Sequence, residues 1–120
     1  MLRYIGIVSV GLMFMVSCAK NTTEPMKVFP PGCEDTVFFS TQIQPLFTTN
    51  CSTSGCHDQS TAQNGYVFET YDQIVNSAED ALQTIKHEPG VVAMPSGSPQ
   101  LNDSLIQQLV CWIGQGKMNN

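Results

Sequence analysis

Five cysteines, at positions 18, 33, 51, 56 and 111, narrow the folds open to this 120-residue chain. The number is odd, so at least one sulfur needs a role other than an intramolecular disulfide. Two of the five stand close together with an imidazole directly behind: Cys51, then Ser52, Thr53, Ser54 and Gly55, then Cys56 and His57. Turn residues surround them, so the helices are short and the loops long. A small domain with that much loop buries a thin core and needs a covalent staple or a large apolar body inside it. Which role each sulfur takes depends on the compartment, because free thiols rarely persist outside the cytoplasm.

The start of the chain speaks to that. Arg3 precedes an uncharged apolar run from Tyr4 to Val16. A helix of that length rises about 20 Å, short of the roughly 30 Å hydrocarbon core of a bilayer, but it has the length of a secretory core segment. The run ends in Met15-Val16-Ser17-Cys18, which resembles a bacterial lipobox with Met15 in place of the commoner Leu. The resemblance implies a signal peptide over residues 1–17, cleavage before Cys18 and a lipid on that cysteine; the alternatives are an ordinary signal peptide and an uncleaved anchor. Ala19 resembles an outer-membrane sorting signal, which places the protein on the outer membrane, facing the periplasm or the cell surface. Residues 18–32 are polar and carry prolines, and read as a tether to a domain over residues 33–120. With Arg3 gone, four lysines stand against ten acidic residues. That balance excludes nucleic acid as a natural partner.

Setting Cys18 aside leaves Cys33, Cys51, Cys56 and Cys111. Cys33 opens the domain and Cys111 lies near its end, so a bridge between them would close a loop of nearly eighty residues. The expected secondary structure is all-α, three or four short helices with little strand. Ser40 is positioned to cap a helix running to about Thr49, with Ile43, Leu46 and Phe47 as its buried stripe and Pro45 disturbing its start. A helical turn is expected around Asp72–Asn76. Ser77 and Asp80 resemble a capping box for a helix over Ala78–Lys86, stopped by Glu88-Pro89-Gly90. Asn102 or Asp103 caps a last helix to about Ile113, and Gly114 and Gly116 end it.

Two cysteines followed at once by a histidine have the chemistry of c-type haem attachment. The thiols add to the two vinyl groups as thioethers, and the histidine is brought against one face of the iron. The strict spacing has two residues between the cysteines and this chain has four. The vinyl groups fix the distance between the sulfurs, not the residue count, and four small residues including Gly55 can bulge outward. A sixth ligand is then required. Met94, followed by Pro95 in an irregular loop, offers a soft thioether, and His/Met ligation raises the reduction potential. His87 is the rival sixth ligand; otherwise it is a solvated residue at a helix end.

The succession IQPLF, NCSTSGCH, GYVFETYDQI, HEPGVVAMP and LIQQLVCWIGQGKMNN resembles small monohaem class I cytochrome c domains, especially exported lipoproteins of Bacteroidetes-like bacteria. The resemblance spans about Cys33 to Asn120. It implies a small cytochrome c-like fold around a haem pocket, one covalent haem c held by Cys51 and Cys56, iron ligation by His57 and Met94, and packing by Trp112. The function it implies is electron transfer between a redox donor and an acceptor, with no catalytic residues and no enzyme activity, at a membrane reached through lipidated Cys18. The competing readings have no haem. One is a zinc site of Cys51, Cys56 and His57 with Cys33 or His87. The other is an interaction lipoprotein stapled by Cys51–Cys56 and Cys33–Cys111 bridges.

Overall fold

In a computed structural model of the protein, residues 28–120 are described. The expected signal peptide, Cys18 and most of the expected tether lie outside the described residues. The fold is small and all-α: three α-helices, and no strand among the described residues. Helix α1 is Gln44–Asn50, α2 is Tyr71–Ile85 and α3 is Asp103–Gly114. None of them is long and apolar enough to cross a membrane.

A π-helical turn, Phe39–Ile43, leads into α1. Pro45 accounts for the irregular entry, because it has no N–H for the carbonyl four residues back and its ring crowds that carbonyl. Ser40 is not the cap that the sequence suggests. The free N–H groups at this end are taken from a distance: Phe39 N–H donates to Asn120 Oδ1 at 2.8 Å and Ser40 N–H to the Asn120 carbonyl at 3.0 Å. Ile43, Leu46 and Phe47 are buried as expected.

Helix α2 corrects a second boundary. It is one fifteen-residue helix beginning at Tyr71, and Ser77 lies inside it. Its cap is Thr70, whose side chain accepts from Gln73 N–H while the Gln73 side chain accepts from Thr70 N–H at 2.9 Å. Ile74, Ala78, Ala81 and Ile85 form a continuous buried stripe. Helix α3 is capped by Asn102, whose side chain accepts from Leu105 N–H at 3.0 Å.

Helix α3 packs against both α2 and the π-helical turn. Trp112 is fully buried at that junction, with its ring 5.7 Å from Phe39 and 6.4 Å from Tyr71. The chain after α3 closes over it. Trp112 Nε1 donates to the Met118 carbonyl at 2.9 Å, Tyr71 donates its hydroxyl to the Lys117 carbonyl at 2.7 Å, and Lys117 pairs with Glu79 at 2.8 Å. Gln115, also buried, accepts from Val37 N–H at 2.8 Å and donates to the Asp35 carbonyl at 2.7 Å.

The expected bridge between Cys33 and Cys111 is present, with Cα atoms 5.1 Å apart. Both sulfurs are buried against α3, and Gln107 fixes the preceding turn by donating to the Pro31 carbonyl at 3.0 Å. Replacing both cysteines by serine should lower unfolding free energy by about 2–4 kcal/mol, the usual worth of a bridge closing a long loop. Denaturant unfolding of the two proteins, compared under non-reducing conditions, checks this; equal midpoints would refute it.

Candidate haem-binding cavity

Helix α1 hands the chain directly to the two-cysteine loop. Cys51 is its C-terminal cap, and its N–H donates to the Phe47 carbonyl at 2.8 Å. Six residues later the loop closes on itself: His57 N–H donates to the Cys51 carbonyl at 3.1 Å. The extra residues are therefore accommodated as a bulge. Thr53, Ser54, Gly55 and Cys56 are exposed, and Gly55 takes φ 85, a left-handed conformation that a side chain would oppose. Ser52 pins the near side by donating its hydroxyl to the Phe68 carbonyl at 2.6 Å.

His57 is buried, at 9% exposure. Its Nδ1 is 3.3 Å from the Tyr66 carbonyl. A carbonyl only accepts, so Nδ1 is the donor in this bond, which leaves Nε2 as the ring nitrogen that could ligate a metal. Aromatic rings fix the plane of the imidazole. Phe68 meets it edge-on at 5.1 Å, and Phe47 backs Phe68 at 5.0 Å.

Cys51, Cys56, His57 and Met94 all line one cavity of about 860 Å³ with mostly apolar walls. Ligand pockets commonly span roughly 300–1,000 Å³. Ala81, Thr84 and Ile85 of α2 form one wall, and the loop carrying Val91, Val92 and Met94 contributes another. Met94 comes from a segment far from the cysteine loop in sequence and is half-buried against the core. His87 does not line the cavity: its Nε2 is 3.0 Å from the Met94 carbonyl. The polar exceptions in the wall include Tyr66 and Asp80, joined at 3.1 Å. That carboxylate pushes the Tyr66 hydroxyl above its usual range.

Cys51 and Cys56 are not bridged to each other, whereas Cys33 and Cys111 are. Burial, with the neighbouring Cys56 second, pushes the Cys51 thiol up to about 12. A thiol that holds its proton at neutral pH is a poor nucleophile. Of the fourth ligands named in the zinc alternative, Cys33 is in a disulfide and His87 Nε2 is hydrogen-bonded to the Met94 carbonyl. No group of three or more His, Cys, Asp or Glu side chains converges as a metal site among the described residues.

Sequence reasoning missed the aromatic wall of Tyr66 and Phe68 around His57, and the contact made by His87. The signal for the first was the alternation of aromatic residues at 66 and 68 directly after a turn. The signal for the second was a histidine where a helix end ordinarily takes glycine. No protein-family model, curated protein or solved structure matches the chain.

Proposed function

We propose that the protein is a lipid-anchored electron-transfer cytochrome carrying one covalent haem c. The observation that supports this is the convergence of Cys51, Cys56, His57 and Met94 on one largely apolar cavity. The residues fit the group in chemical kind: two thiols for two thioethers, an imidazole whose free nitrogen is Nε2, and a thioether from a separate loop. When bound, the haem supplies a one-electron couple between ferric and ferrous iron.

The chain's own work is to hold that couple in place and to set its potential. The bulged loop presents both sulfurs from a single turn closed by the Cys51 carbonyl. The Tyr66 carbonyl holds the His57 tautomer, and the Phe68 edge holds its plane, so ligation needs little rearrangement. Ala81 and Ile85, the buried residues of α2 that line the cavity, give it an apolar wall, which favours the less charged redox state. A soft, neutral donor at Met94 acts in the same direction. The Cys33–Cys111 bridge ties α3 to the start of the domain and supplies the staple that a thin core needs. The proposed partners are a redox donor and an acceptor that meet the domain at the membrane surface, where lipidated Cys18 would hold it.

The test is the visible spectrum of the protein purified from a host with active c-type maturation. We expect one intense haem band system that shifts reversibly on chemical reduction and reoxidation. A colourless protein from that host refutes the reading.

A further inference from the structure

Helices α2 and α3 end in the same hydrogen-bond pattern with one difference. After α3, Gly116 takes φ 94; its N–H donates to the Ile113 carbonyl at 3.0 Å, and Lys117 N–H donates to the Trp112 carbonyl at 2.9 Å. After α2, His87 takes φ 52; its N–H donates to the Thr84 carbonyl at 3.1 Å, and Glu88 N–H donates to the Gln83 carbonyl at 3.1 Å. Both are Schellman endings, whose left-handed position favours glycine because a Cβ crowds the following carbonyl. At α2 an imidazole occupies that position. The backbone alone would be better served by glycine or asparagine, so the side chain needs a reason of its own.

The reason lies seven residues on. His87 Nε2 is 3.0 Å from the Met94 carbonyl, and since the carbonyl accepts, Nε2 donates. Met94 N–H donates at 3.0 Å to the Thr84 carbonyl, the same carbonyl that takes the His87 N–H. Both main-chain polar groups of Met94 are thus tied to the end of α2, one directly and one through the imidazole. The intervening Pro89–Ala93 are exposed and contribute little packing to hold Met94 in place.

We propose that His87 is a positioning residue for the sixth haem ligand: set in the left-handed end of α2, its imidazole clamps the Met94 carbonyl and holds the Met94 thioether at the cavity. This rests on the haem reading of the site. Removing the clamp leaves the Met94 main chain with one hydrogen bond to α2, its N–H to the Thr84 carbonyl, so the loop opens more often and the sulfur leaves its position more often.

Two variants separate the side chain from the backbone. His87→Gly suits the left-handed conformation and deletes the donor. His87→Gln keeps a donor at similar reach. Both are made in the full chain, and two readouts are taken. The first is amide hydrogen exchange at Met94, followed by NMR in the reduced protein. The second is the weak near-infrared band of sulfur–iron ligation in the oxidised protein. His87→Gly should speed exchange at Met94 on the order of fivefold, the population change expected for one ordinary hydrogen bond, and should weaken the band. His87→Gln should restore both toward wild type. Wild-type behaviour of His87→Gly in both readouts overturns the proposal, as does equal loss in the glycine and glutamine variants. A haem-bearing wild type without the sulfur–iron band also overturns it. A colourless wild type refutes the haem reading instead; exchange at Met94 then decides the clamp alone, with an unchanged rate in His87→Gly rejecting it.

Discussion

Replacing both Cys51 and Cys56 by serine is expected to convert a chromophore that survives extraction with acidified acetone into one that leaves the chain completely. Each sulfur can contribute one thioether, so either single replacement should leave the haem attached through one bond. Mass spectrometry then still finds chain and haem together in the single variants and finds only the bare chain in the double. The longer loop makes this the most exposed part of the functional reading. The loop is closed by His57 N–H on the Cys51 carbonyl, and both cysteines line the same cavity. Serine cannot add to a vinyl group under the same conditions and leaves the loop's volume nearly unchanged, so misfolding is not the expected cause of a loss. If the double variant retains haem through acid extraction, the attachment is not made by these sulfurs. His57→Ala addresses the iron separately: it removes the buried imidazole that the Tyr66 carbonyl orients, and the low-spin spectrum should be lost even where the thioethers persist.

The parts of this molecule that sequence reasoning reached are those governed by local chemistry. Cysteine counting reached the Cys33–Cys111 bridge, because two sulfurs at opposite ends of a domain had no other partner. The spacing of Cys51, Cys56 and His57 pointed to an irregular loop, and these residues do lie in turns, with Thr53–Gly55 exposed. Asn102 and the apolar face after it located α3 within a residue or two. Errors arose where distant residues decide the local structure. Ser40 has the chemistry of a cap, but Asn120, eighty residues away, takes its N–H and that of Phe39. Ser77 and Asp80 imitate a capping box, yet α2 starts a full turn and more earlier. There Thr70 and Gln73 close a true box, and Tyr71 is drawn inward by Phe39, 5.1 Å away, and by the Lys117 carbonyl. His87 was legible as a helix-end residue, and it is one. What its ring does beyond that depends on a loop that returns to it only after the chain folds.

Met94→Leu is expected to abolish the near-infrared sulfur–iron band and to lower the reduction potential on the order of 0.2 V, a fraction of the roughly 0.8 V that axial ligands command. Leucine nearly conserves the volume of the side chain that packs against the core, so the cavity wall should persist and the loss can be assigned to the sulfur. The direction follows from the softness of the donor. A neutral, soft thioether favours ferrous iron, and its removal favours ferric. Potentiometric titration beside the oxidised spectrum reads both effects, and a band that survives in Met94→Leu excludes Met94 as the ligand. The comparison with His87 then separates ligand from clamp. Loss of the ligand should be complete and beyond rescue, whereas loss of the clamp should be partial and recovered by glutamine. Combining Met94→Leu with His87→Gly should lower the potential no further than Met94→Leu alone, because the clamp has an effect on the iron only through the sulfur it positions.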